Sequence, residues 1–241
     1  MSRKCFRLAA IVALFAPATL MGQMPRDTGS QRRAPDKNAT HIMIPTFVTV
    51  ERARRPNIGV QAAEEMRRQV ADAFSPKEVY VIPSERMVYG FHDGLFSAEE
   101  LALEPYDAKA LATMLRAGEY IMGSIERTSE GEFRVQAELV LTRDLNARQP
   151  LGVATSRKMN DAIEVLVREM KEARKQLDGE RKCVAAEREG KGPEAIEFAR
   201  AAIALYPKAT LARMCLLKAL GARFSQSTRP SHNRNADITH R

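Results

Sequence analysis

The side chains able to do chemistry in this chain of 241 residues are few and scattered. His92, Asp93, Glu99 and Glu100 form the one concentration of acid and base groups, and with Ser84 and Ser97 nearby such a set could serve hydrolysis or bind a metal. No nucleophile elbow, glycine-rich phosphate cradle or zinc-binding helix motif accompanies it, so it reads as a solvated loop with turn and capping residues. A zinc site needs Cys or His at ligand spacing. Cys183 and Cys215 have no such neighbour, and His41, His92, His232 and His240 are far apart in the chain. Gly123 and Ser124 could line a small-molecule cleft, although a small residue in a strand also lets a helix approach closely. Arg52, Arg54 and Arg55 make a basic knot that could meet an anionic component or sit in water as a loop. On these residues no catalytic, cofactor-binding or metal-binding assignment is made.

Charge narrows the partners. Lys and Arg number 38 against 30 Asp and Glu, a net of +8. Arg3, Lys4 and Arg7 supply three of these charges, residues 23–40 two and residues 223–241 three, so residues 41–222 are neutral. A nucleic-acid binder concentrates basic side chains on its folded part and offers aromatic rings to bases. Here the folded part is balanced and only 6% of residues are aromatic, with no Trp, so nucleic acid is excluded as the expected partner.

The elements that must position these residues begin after an N-terminal pattern. In residues 1–22 three cations precede an apolar run from Leu8 to Gly22, with Ala16, Ala18 and Gly22 as small residues for a peptidase, which is the pattern of a signal peptide. Fifteen helical residues rise about 22 Å, short of the roughly 30 Å hydrocarbon core, so cleavage near 18–24 is expected rather than a stable membrane span. Cys5 lies ahead of the apolar run, which disfavours a lipid anchor there. Residues 23–40 mix Pro, Gly, Ser and charge without periodicity and read as a disordered linker.

From His41 to Val50 a nearly continuous apolar run predicts a strand, weakened at Pro45. Gly59 to Phe74 carries Ala63, Met66, Val70 and Ala73 at helical spacing, and Glu78 to Ile82 predicts a second strand, giving a strand–helix–strand unit with a right-handed crossover. Ser84 to Pro105 is the least regular segment. Asp107 is placed as the N-cap of a helix over Ala108–Ala117, with Gly118 ending it in a left-handed turn. Tyr120–Arg127 and Glu132–Thr142 flank a turn at 128–131 and predict an antiparallel hairpin at the sheet edge. Leu151–Thr155 adds a short strand. Asn160 or Asp161 then caps a helix to about Leu177. The expected fold class is an α/β (α+β) sandwich of a mixed sheet with helices over 41–177.

This order of elements, with the helix and strand DAKALATMLRAGEYIMGSIER and the hairpin GEFRVQAELVLTRDLNARQPLG, resembles the amino-terminal α/β domain of the TolB type and, more loosely, CsgG-like envelope domains. The most specific stretch is Leu111 to Leu141. The resemblance implies architecture and compartment and brings no set of active-site residues.

Residues 178–222 resemble a tetratricopeptide repeat, one and a half units long. With Pro207 at the terminal proline, Gly190 falls in the turn between helices and Ala195, Ala202 and Leu205 at packing positions, while Gly179 stands where the repeat has Trp and Cys183 where it has Gly or Ala. The alternative is a plain helical hairpin. A further unit begins at Thr210 with Leu211, Met214, Leu216, Leu217 and Leu220, and the pattern then stops, residues 223–241 reading as a disordered tail. The abrupt loss predicts a longer natural array, cut short by a frameshift or truncation near Gly221. If the tail is genuine, the half-repeat leaves Leu and Met exposed for another chain. The repeat register would set Cys183 and Cys215 on neighbouring helices, where an exported pair can form a disulfide; because spacing alone does not establish bond geometry, the preferred reading is that both are small buried apolar side chains.

The function these readings imply is an exported, non-enzymatic accessory or scaffold protein mediating protein–protein contacts at the bacterial cell envelope, in the periplasm or associated with it. No cofactor is called for. The alternative is a periplasmic sensor or carrier of a small ligand or glycan, with Ser84 to Pro105 as a lid.

Overall fold

The computed structural model describes residues 36–50, 58–89 and 102–227, the last five and residues 88–89 by backbone alone. The α/β class expected from the sequence is what it shows: a mixed six-stranded sheet covered by helices, followed by a helical segment.

The chain opens with β1 (Thr40–Met43) and β2 (Val48–Thr49), which together replace the single strand expected over 41–50. Pro45 lacks an N–H and cannot hold a ladder through its position. The chain steps out of the sheet and re-enters beside β4 (Glu119–Arg127), six residues running from Met43 to Val48 where β4 uses five from Tyr120 to Ser124. The step is locked by Phe47, whose N–H bonds to the carbonyl of Gly59 and whose ring lies against Gly123.

Helix α1 (Ile58–Ala73) crosses from this step to β3 (Val79–Val81), burying Ala62, Ala63, Met66 and Val70 as its spacing requires. Strands β1, β3 and β4 are parallel. Then β5 (Phe133–Leu141) and β6 (Arg148–Ser156) add antiparallel, giving the order β3-β1-β4-β5-β6 with β2 beside β4. The hairpin is therefore interior and β6 is the edge. The strand expected over Leu151–Thr155 is nine residues long, starting at Arg148, and accommodates Pro150 in an irregularity: Leu151 is the extra residue between the pairs Glu138–Pro150 and Ala137–Gly152, and Gly152 takes φ 89°.

Two further corrections concern caps. Helix α3 (Pro105–Met114) starts two residues before Asp107, with Glu104 as N-cap and Pro105 preset for the first helical position. Its left-handed end is Arg116 at φ 54°, not Gly118, whose N–H instead continues the sheet to the carbonyl of His41. Similarly α4 (Met159–Ala173) begins after Lys158, ahead of Asn160 and Asp161.

Helices α1 and α4 cover one face of the sheet around Ile42, Ile121, Ile125, Val135 and Leu139. On the other face α3 and α2 (Ser84–Tyr89) enclose Met43, Tyr120 and Val140. After α4 a 3-10 turn (Arg174–Gln176) leads straight into α5 (Leu177–Arg188), α6 (Gly192–Leu205) and α7 (Thr210–Ser227). These pack on one another through small residues: a Cβ on Gly179 would come 2.8 Å from the Ala202 methyl. Gly190 turns the chain between α5 and α6 at φ 73°, and the helical backbone of α7 runs past Ala222 to Ser227.

Candidate functional site

Of the residues singled out for chemistry, His92, Asp93, Ser97, Glu99, Glu100, Arg52, Arg54, Arg55, His232 and His240 lie outside the described residues, as does most of the expected lid. Ser84 begins α2. Gly123 is occupied from one side: a Cβ there would stand 2.6–2.7 Å from the Phe47 ring, so its smallness admits that ring to the core rather than opening a cleft. Ser124 pairs with Val48 and Gln136 inside the sheet. No group of three potential metal ligands occurs among the described residues. The Cys183 and Cys215 sulfurs lie 2.05 Å apart as a disulfide, with Cα atoms 6.4 Å apart, joining α5 to α7 among Ala186, Ala195, Ala199 and Ala219.

Two surfaces remain. The first is the outer side of α7. Leu217 is 69% exposed, Met214, Leu216 and Leu220 are half-buried, and Leu205 at the end of α6 is 63% exposed. The first turn of the same helix is fixed to β6 and to the 3-10 turn by a polar latch. The buried Gln149 of β6 accepts the Thr210 N–H (2.7 Å) and the Gln176 amide (2.8 Å), while the Gln176 carbonyl accepts the Ala212 N–H (3.2 Å). Two buried amides thus satisfy donors that the first turn of α7 leaves without helical acceptors. Beside the latch, Glu169 of α4 accepts from Tyr206 (2.7 Å) and Lys208 (3.0 Å). Burial pushes the Glu169 carboxyl up, but these two donors outweigh it and hold the group below the usual carboxylate range; burial and the same carboxylate push the Tyr206 hydroxyl far up.

The second surface is a cleft of about 560 Å³ where the starts of β1 and β4, the end of β5 and the start of α5 meet. Lys37, Arg116, Arg143, Arg174 and Arg181 line it. Its acids are Glu119, buried and bonded to Arg174, and Asp178, 3.6 Å from Arg181. Burial drives the Glu119 carboxyl above its ordinary value, with Arg174 and Arg181 opposing. Arg143 bonds the buried Glu180 of α5. Sequence reasoning missed this cleft because its cations are spread from 37 to 181 with no local motif. The one signal was an Arg, two residues ahead of Gly118, at the end of a helix that glycine commonly terminates.

A mixed sheet between helical layers with a helical segment latched to its edge defines the class by architecture alone. No protein-family model and no curated protein matches the sequence. Among solved structures, the chain is similar to the C-terminal domain of LpoB from Escherichia coli, at 12% identity and a TM-score of 0.38 over 48% of this chain and 80% of that one. The NMR structure of E. coli LpoB gives 10% identity and 0.38 over 64% and 86%, and the PelC dodecamer from Paraburkholderia phytofirmans 12% and 0.31 over 54% and 86%. Overlaps this loose transfer no role to the chain, and its function has to be read from its own geometry.

Proposed function

We propose that this chain is an exported, non-enzymatic accessory protein that holds a protein partner at the bacterial cell envelope. In this reading the α/β part is of TolB type and the helices after it are tetratricopeptide-like, with the sheet as a rigid platform and the end of the helical stack as the contact. The observation that carries it is the exposed apolar surface at Leu217 of α7 and Leu205 at the end of α6, on helices whose stack is held where the first turn of α7 is pinned by Gln149 and Gln176. A rigidly held apolar strip binds without first being ordered, which lowers the entropic cost of association. Export is supported by the cation-then-apolar pattern of residues 1–22. Among the described residues no helix is long and apolar enough to cross a membrane. An oxidising compartment would keep the Cys183–Cys215 disulfide that ties α7 to α5.

The test is a photo-reactive residue at position 217 in the producing cell, with one at the exposed Val165 of α4 as control. A discrete protein adduct from 217, absent from 165, is expected. Adducts of equal yield at both positions would overturn the reading. Mass spectrometry of the secreted fraction checks export separately, by a new N-terminus between residues 18 and 24.

A further inference from the structure

Residues 41–222 are electrically neutral as a whole, yet the 560 Å³ cleft gathers Arg116, Arg143, Arg174 and Arg181 with Lys37 just ahead of them, and the carboxylates Glu119, Asp178 and Glu180 leave two of these five cations unmatched. The arrangement is not explained by internal pairing. Arg174 is engaged by Glu119, Arg143 by Glu180 and Arg181 by Asp178, whereas Lys37 and Arg116 have no ion-pair partner among the described residues. Both are exposed, one on the segment before β1 and one at the end of α3, and the paired guanidiniums of the same cleft add to the positive potential there.

Arg116 is also the one described non-glycine residue at positive φ, 54°. The backbone there closes α3 in the manner of a Schellman turn, the Ala117 N–H reaching the carbonyl of Ala112, and a turn of this kind favours glycine at the left-handed position. A side chain in that conformation costs about 1 kcal/mol. The negative end of the α3 dipole would favour a cation nearby, but it acts equally on a Lys or Arg one residue earlier, in ordinary helical backbone. A cation held in a strained position at the rim of a cationic cleft is a feature maintained at some expense of stability.

We propose that this cleft binds a small soluble ligand bearing two or more oxyanion groups, phosphate or carboxylate, with Arg116 and Lys37 making the direct contacts and Arg174, already committed to Glu119, forming the floor. Forked guanidinium donors suit the paired oxygens of either group, and the volume lies within the ordinary range for small-molecule sites. A single carboxylate would leave one of the two unpaired cations unmatched. This site is separate from the α7 surface, and its failure would leave the protein-binding reading intact.

The experiment titrates the full chain by calorimetry with pyrophosphate, citrate and acetate at constant ionic strength. Saturable 1:1 binding of pyrophosphate, citrate or both is expected, and acetate should not saturate. Binding of pyrophosphate alone identifies the phosphate source, and binding of both assigns the multivalent oxyanion in general. Arg116→Gly removes the charge and relieves the backbone, so it should weaken binding about tenfold without lowering the melting temperature. Lys37→Gln should weaken binding about threefold, and Asp178→Asn, an exposed wall residue, should tighten it two- to threefold, roughly the effect of one partly screened charge. No saturation by either multivalent probe, or saturation indifferent to both Arg116→Gly and Asp178→Asn, would overturn the proposal.

Discussion

The two ends of the molecule are held by different means. Around the sheet, large aliphatic and aromatic side chains such as Ile42, Phe47, Ile121, Ile125, Leu139 and Ile163 are fully buried. In the far part of the helical segment the buried side chains are mostly alanines, with Ile196 and the two cysteines among them. Small residues bring helices close but bury little area each, at about 25 cal/mol per Å², so this end lacks the hydrophobic gain that stabilises the sheet. The helical end therefore depends on its ties: one covalent, Cys183–Cys215, and one polar, the Gln149–Gln176 latch, while Leu205 and Leu217 stay exposed.

The largest effect should come from breaking the sheet where it cannot yield. A Cβ at Gly59 would fall on the carbonyl oxygen of Phe47, backbone against backbone. Gly59→Ala is expected to cost about 4 kcal/mol or more, read by urea denaturation, with the cooperative transition of the sheet moving first. Removing the covalent tie should be next. The disulfide spans 32 residues, and replacing both cysteines by Ala is expected to cost about 3–4 kcal/mol, loosening the helical end while near-ultraviolet signals from Tyr120 persist. Gln149→Leu leaves the Thr210 N–H and the Gln176 amide without their acceptor and should cost about 2 kcal/mol, with raised protease sensitivity confined to residues after Tyr206.

The smallest effect is in pH, and it has opposite signs at two joints between the regions. Glu119 has its folded value raised, so the native state binds the extra proton, and the stability it contributes is present at low pH and falls as pH rises above about 4.5, its ordinary value. Glu169 has its folded value lowered, so its contribution is present above that ordinary value and is lost as pH falls through the depressed one. Denaturation midpoints of Glu119→Gln and Glu169→Gln against pH should therefore lose slopes of opposite sign.

Legibility in the sequence followed the range of the interactions. Local periodicity revealed α1, the β4–β5 hairpin and α4. It did not reveal that Pro45 divides the first strand, because the re-entry depends on Phe47 meeting Gly59 and Gly123, contacts distant in the chain. Nor did it start β6 before Leu151, because Arg148, Gln149 and Pro150 become edge-strand residues only beside β5. The latch and the basic cleft were illegible for the same reason: Gln149, Gln176, Lys37 and Arg116 are unremarkable until the fold assembles them.

The most direct test of the contrast between a self-sufficient sheet and a tied helical end is hydrogen exchange followed by mass spectrometry, with and without reductant. Reduction is expected to raise exchange in peptides from 183–199 and 215–221 while those of β4 and β5 stay protected. Equal loss of protection in both regions, or none in either, would contradict the contrast.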